Sequence, residues 1–215
     1  MRANALIKAE RALDHLILGI ADLSQGIEWL QEKTGVRAIP GGSHPGAGTR
    51  NALVSLENRR YLEIMSIDPD QAQANWLACR IRDLEAPRLI TWAAATPDIN
   101  SILKSAEESG YQVEGPSEGS RLKPGGGKLE WKILSILSKL GPVIPFFIQW
   151  GSGIVHPSAD SPSGCRLEAL VIHHPEAETV REMLAMLGIA AKVQSGPEPQ
   201  IKAVLATPKG TVHIA

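Results

Sequence analysis

The chain has 215 residues, with Lys plus Arg at 22 against Asp plus Glu at 23 and a net charge of -1. That balance argues against a nucleic-acid binder working through bulk positive charge. Hydrophobic residues at 43% and charged ones at 21% argue against disorder. Two cysteines, Cys79 and Cys165, are too few for a disulfide framework and lack metal-type spacing.

From the N-terminus, the stretch 1–11 interleaves apolar residues with Arg2, Lys8, Glu10 and Arg11 and has no cleavage-type site, so no export leader is expected. A strand then reads over 13–20, a helix over 22–34, and Gly35 stands where a left-handed helix stop belongs. Strand-like segments follow at 36–39, 49–56 and 60–67, the last two joined by the Glu57-Asn58-Arg59 turn. The same grammar recurs as a strand over 89–96, a helix over 98–109 and Gly110. Its later strands are 128–133, after the turn 124–127, and 144–150. A third copy has a strand over 167–172, a helix over 176–187, Gly188, and strands at 201–207 and 211–215.

Internal repetition therefore organises the chain. The first βαβββ module covers 12–68, a helical insertion 69–87, and the second module 88–150. A Pro- and Ser-rich linker, read as an exposed connection, spans 151–164, and a third, shorter module spans 165–215. The apolar stretch 133–150 is broken by Ser135, Ser138, Lys139, Gly141-Pro142 and Pro145, so no spanning helix is expected. A soluble cytoplasmic protein with reduced thiols is the expectation, without nucleic-acid or membrane partners.

Several strings carry a family resemblance. Leu13-Asp14-His15 opens the first strand, and the loop 42–51 holds His44-Pro45-Gly46 and ends on Arg50-Asn51. Tyr61-Leu62-Glu63-Ile64 and Pro145-Phe146-Phe147-Ile148-Gln149-Trp150 close the first two modules. With these strings the repeat resembles the vicinal oxygen chelate superfamily, which includes glyoxalase I, extradiol dioxygenases and antibiotic-resistance binding proteins. The closer resemblance is to glyoxalase-like domain proteins. It implies an α+β fold of repeated βαβββ modules whose curved mixed sheets pair around a cup. The superfamily hosts several chemistries, so fold alone names no reaction.

Strand parity picks out side chains independently of the family. If Leu16, Leu18 and Ile20 face the helix, His15 faces the other way, into the cup. Leu62 and Ile64 share the helix side, which sends Tyr61, Glu63 and Met65 to the cup. An imidazole and a carboxylate converging there fit a divalent-metal site, with zinc, nickel, manganese or iron as the candidates. The corresponding closing positions elsewhere are Gln149 and His213, each polar between apolar neighbours. The opening positions are Thr91 and Ala169, and Ala169 cannot bind a metal, which departs from the four-ligand pattern of glyoxalase I. Pairing of modules one and three gives His15, Glu63 and His213; pairing of one and two gives His15, Glu63 and Gln149. The second pairing is slightly favoured because consecutive modules usually pair in this superfamily.

Other candidates surround this pair. His44 lies in a loop that would line the cup mouth or stabilise its own turn. Arg50 and Asn51 would bind an anionic group on the ligand, or pair with Glu57 or Asp68. Trp131, Phe147 and Trp150 would wall the ligand, or pack as core. His173-His174 reads as structural, because adjacent strand residues face opposite ways. Two functions follow. In one, a small-molecule enzyme uses His15 and Glu63 as catalytic groups and metal ligands, acting as a lyase, isomerase or dioxygenase. In the other, a metal-free cup binds or sequesters a small molecule. An unpaired third module would leave a sheet face uncovered, which points to a homodimer.

Overall fold

The computed structural model describes residues 6–72, 75–123 and 126–215. The first residues of the segment 1–11, part of the insertion 69–87, and Pro124 and Gly125 of the turn 124–127 lie outside the described residues. In chain order the elements begin with β1 (Ile7–Lys8), α1 (Ala9–Ala12), β2 (Leu13–Gly19) and α2 (Leu23–Thr34). Next come β3 (Ile39–His44), β4 (Thr49–Ser55), β5 (Tyr61–Ile67), α3 (Trp76–Ile81), β6 (Arg88–Ala95) and α4 (Ile99–Glu108). Then follow β7 (Gln112–Leu122), β8 (Lys128–Leu137), β9 (Phe146–Trp150) and α5 (Pro157–Asp160). The last are β10 (Arg166–His174), α6 (Ala177–Met186), β11 (Ile189–Ala190), β12 (Lys192–Ser195), β13 (Gln200–Thr207) and β14 (Gly210–Ile214).

Segments 13–67 and 88–150 build one eight-stranded sheet in the order β3-β4-β5-β2-β6-β9-β8-β7. The antiparallel pair β2 and β6 joins the two halves at its centre. Each half also contains a parallel neighbour, β5 beside β2 and β9 beside β6, which is what an intervening helix crossover permits. The sheet curls until its edge strands β3 and β7 lie against each other. The result is the α+β architecture of paired βαβββ units around a cup.

Local chemistry explains the elements. The Asp22 carboxylate accepts the Gln25 N–H at 3.0 Å and so caps α2, while Gly35 ends it at φ 80°. Leu23, Ile27 and Leu30 on one face of α2 pack into the core with Leu16, Leu18, Leu62 and Ile64 of the sheet. Each such side chain contributes roughly 1.5–3 kcal/mol by leaving water. Gly110 and Gly188 also sit at φ 79°, as left-handed stops after α4 and α6. Trp92 is fully buried and donates its indole N–H to the Val143 carbonyl at 2.9 Å.

Three parts of the chain differ from the sequence reading. Strand β7 was not foreseen: it is a mostly exposed, polar edge strand paired only with β8, so no burial pattern marks it. The segment 151–164 is not simply an exposed connection. It contains α5, buries His156 and Pro157, and is tied to β4 where the Ser55 N–H donates to the Pro162 carbonyl at 2.8 Å. The third sheet, β12-β10-β13-β14, is not left bare either. Leu167, Leu170, Ile201, Leu205 and Ile214 are buried in the same core as the first half, so the ground for expecting a homodimer is absent among the described residues.

Candidate active site

The concave side of the large sheet encloses a cavity of about 310 Å³. His15 and Ile17 reach it from β2, Tyr61, Glu63 and Met65 from β5, and Thr49 and Asn51 from β4. The hairpin residue His44, Arg121 of β7, Trp131 of β8, and Phe146, Ile148 and Trp150 of β9 complete the walls. Helix α3 seals one side, where Leu77 and Ile81 pack on Ile17, Met65 and Ile90. A larger surface hollow of about 800 Å³ lies between Lys8, Arg11, Arg60, Glu168 and Lys192, but it gathers no buried donor set.

At the floor of the cavity His15 is held on three sides. Its Nδ1 lies 2.7 Å from Asp14 Oδ1, its ring stacks on Tyr61 at 4.6 Å, and its edge meets Phe146 at 5.6 Å. The stacking follows from register, since His15 and Tyr61 are partners across β2 and β5. Only Nε2 remains, and it faces Glu63 Oε2 at 3.5 Å. Alternation along β2 would put Asp14 and His15 on opposite faces. The register shift between Leu13 and His15 supplies an extra residue, and this bulge lets the two side chains meet.

Asp14 is the hub of the buried network. Its Oδ2 accepts the Trp150 indole N–H at 2.8 Å and lies 3.2 Å from His156 Nε2. Burial pushes the Asp14 carboxyl up, but hydrogen bonds to His15 and His156 and their charges outweigh it and hold the group well below its ordinary range. An ionised carboxylate only accepts, so His15 carries its proton on Nδ1 and His156 carries one on Nε2. The Ser158 N–H donating to His156 Nδ1 at 3.3 Å agrees with that tautomer. His15 Nε2 is thereby the ring atom left to face Glu63.

Glu63 is met from a second direction. Asn51, diagonal to it across β4 and β5, donates Nδ2–H to Glu63 Oε1 at 2.6 Å. The same Nδ2 lies 3.2 Å from His44 Nε2, and His44 Nε2 is 3.6 Å from Glu63 Oε1. His44 Nδ1 is 2.9 Å from the hydroxyl of Thr49, its cross-strand partner. Burial lowers the His44 pKa, with Arg121 adding to the effect and Glu63 opposing it, so the ring favours its neutral form. Arg121 donates to Asn51 Oδ1 at 3.4 Å, which fixes the amide's orientation. Burial, then the nearby Glu63 and Asp14 carboxylates, pushes the Tyr61 hydroxyl well above 10.0.

The structure thus brings His15, Glu63, His44, Asn51, Trp131 and Trp150 together and leaves four other candidates outside the cavity. Arg50 points to the opposite face of β4 from Thr49 and Asn51, and its Nε is buried without a partner. Phe147 belongs to the core behind the sheet. Gln149 does not approach Glu63; its side-chain oxygen accepts the Ile99 N–H at 2.9 Å and caps α4 from outside. His213 is exposed on β14, in the other sheet. On β9 it is Phe146, Ile148 and Trp150 that face the cup, a one-residue shift from the parity that selected Gln149. His174 accepts the Glu176 N–H at 2.9 Å, a structural role. Sequence reasoning missed Asp14, His156, Arg121 and Phe146 as members of the site.

Fold and site together define a protein of the vicinal oxygen chelate superfamily. The family model described as a glyoxalase-like domain matches residues 13–188, and the chain belongs to that family. Among solved structures, a hypothetical protein from Staphylococcus aureus is 16% identical with a TM-score of 0.68, covering 87% of this chain and 87% of that one. Methylmalonyl-CoA epimerase from Mycobacterium tuberculosis is 19% identical with a TM-score of 0.47, over 69% of this chain and 92% of its own. A methylmalonyl-CoA epimerase in complex with methylmalonyl-CoA and ammonium is 15% identical, TM-score 0.48, over 71% and 100%. No curated protein matches the chain in sequence. None of the helices among the described residues is long and apolar enough to cross a membrane.

Proposed function

We propose that the cavity is the active site of a small-molecule enzyme of the vicinal oxygen chelate type. The reading is carried by one observation: His15, its Nδ1 engaged by buried Asp14, turns Nε2 to Glu63 Oε2 at 3.5 Å on the floor of the cup. Members of the superfamily commonly hold a divalent metal, and the donor chemistry fits one. His15, His44 and Glu63 are two imidazoles and a carboxylate, a set that leaves positions open for substrate. His15 Nε2 lies 3.5 Å from Glu63 Oε2 and His44 Nε2 3.6 Å from Glu63 Oε1, so each imidazole meets a different oxygen of the one carboxylate. Among the described residues no three His, Cys, Asp or Glu side chains are already gathered around one point. Asn51 stands between His44 and Glu63, so His44 would have to exchange that amide for the ion.

When bound, a divalent ion would supply a Lewis acid for two neighbouring substrate oxygens. The chain's own groups do the rest. Glu63 Oε2, when released from the ion, removes or returns the substrate proton, while Asn51 holds Oε1 and with it the direction of the carboxylate. His15 would offer Nε2 to the ion or, without one, to a substrate hydroxyl. Asp14, Trp150 and His156 position that imidazole, in the manner of the outer partners of metal-binding histidines. Tyr61, Phe146, Trp131 and Trp150 exclude water from the reacting atoms.

The test is metal per chain after dialysis for wild type, His15→Ala and Glu63→Ala, followed by screening 2-oxoaldehydes, catechols and hydroxy acids for turnover. About one metal per chain, lost in both variants, supports the reading. No metal after incubation with zinc, nickel, manganese or anaerobic iron, together with no turnover, overturns it. A metal-free binding protein is the second reading. It is favoured by β9, where Phe146 and Ile148 put apolar groups on the cup face and no further metal-type side chain.

A further inference from the structure

Arg121 is a cation with no obvious reason to be where it is. It projects from the polar edge strand β7 into the cavity and is only 5% exposed. A buried guanidinium is costly unless its fork of N–H donors is matched by an anion. Among the described residues Arg121 has no carboxylate within ion-pair distance, and its one hydrogen bond is the 3.4 Å contact to Asn51 Oδ1. The two other carboxylates near it do not answer the charge. Glu63 is separated from it by the Asn51 amide, and Glu118 on the same wall is exposed.

The surroundings are built to admit this side chain. A Cβ on Gly41 would collide with both Arg121 Nη1 and Asn51 Oδ1, so the β3 edge is bare where the guanidinium lies across it. The cavity of about 310 Å³ that Arg121 enters is also lined by the rings of Tyr61, Phe146 and Trp131. That volume is at the low end of small-molecule pockets, roughly 300–1,000 Å³, and suits a compact ligand rather than a dinucleotide. Arg121 and Glu63 grip opposite ends of the Asn51 amide, so an anion on Arg121 would share one cavity with the His15 and Glu63 pair.

We propose that Arg121 anchors the carboxylate of the substrate, and that the cavity takes small 2-oxo or 2-hydroxy carboxylates bearing an aromatic or branched apolar group. This rests on the cavity being the ligand site but needs neither a metal nor turnover. Planar, two-pronged recognition of a carboxylate is what a guanidinium does better than any other side chain.

The experiment is calorimetric titration, in a metal chelator, of mandelate against mandelamide and of phenylglyoxylate against its amide. Wild type is expected to prefer each acid over its amide by about tenfold or more. Arg121→Gln should lose that preference while keeping weak binding of the ring, and Arg121→Lys should retain part of it. Should Arg121→Gln fail to fold, the wild-type acid and amide pair and Arg121→Lys decide the matter. Acids and amides binding within about twofold in wild type, or no acid binding below about 10 mM, overturn the proposal. So does a preference that survives in Arg121→Gln. Failure of the catalytic reading looks different: metal and turnover are missing while the acid preference persists.

Discussion

Replacing Asp14 by Asn tests the buried network at its centre. The carboxylate receives three hydrogen bonds, from His15 at 2.7 Å, Trp150 at 2.8 Å and His156 at 3.2 Å, and is 2% exposed. An Asn keeping its oxygen toward Trp150 and His156 turns two charge-assisted bonds into neutral ones, at about 1 kcal/mol each. Its NH2 group then meets His15 Nδ1, and the imidazole must move its proton to Nε2, facing Glu63. The total loss is about 2–4 kcal/mol, or roughly 5–15 °C in Tm for a chain of this size. The assay is urea unfolding in a metal chelator, followed by tryptophan fluorescence at several pH values. Because the folded pKa of Asp14 lies below its unfolded value of 3.8, its contribution is present above that value and is lost as the pH falls through the folded one. The gap between wild type and Asp14→Asn should therefore narrow by about 1 kcal/mol between about pH 5 and pH 3. A gap under about 0.5 kcal/mol near pH 7, or one that stays constant on acidification, would refute the account of the hub.

The other predictions are simpler. His156→Ala should destabilise the fold by about 2–4 kcal/mol and lower turnover without changing which metal is bound, because it leaves Asp14 buried with one donor fewer; unfolding curves that overlay wild type would refute it. His44 has a folded pKa pushed below 6.5 by burial, so stability should fall as the pH drops from 6.5 toward that folded value. His44→Asn should remove this part of the acid sensitivity, and an unchanged pH slope would count against it. Of the two thiols, exposed Cys79 should react with a disulfide reagent in the native state. Buried Cys165, its thiol pushed up by burial, should react only on unfolding, and rapid titration of both would contradict the packing.

Much of this molecule is legible in the chain itself, in an uneven way. The alternation around His15 and Glu63 sends both side chains to the cavity side because the ladder between β2 and β5 is unbroken from His15 to Gly19. Asp14 escapes the same reasoning because a bulge, invisible in a pattern of apolar and polar letters, breaks the alternation just before His15. His156 sits 142 residues from its partner, in a segment whose prolines and serines read as a surface connection. Arg121 belongs to a strand that one edge contact leaves half in water, so its neighbours carry no periodic signal. Gln149 and His213 are polar residues between apolar ones, a pattern that a helix cap or an exposed edge strand produces as readily as a ligand does.

The tie between His156 and Asp14 bears on how this architecture can be cut and recombined. The eight-stranded sheet ends at Trp150, and on topology alone the chain up to that point would count as a self-sufficient unit. Yet a truncation there would remove an imidazole from beneath the floor of the cavity and leave the buried Asp14 carboxylate one donor short. The stretch after Trp150 thus acts as a keystone. Moving the front sheet onto another partner would have to carry residues through Pro162 with it, since the Ser55 N–H holds the Pro162 carbonyl.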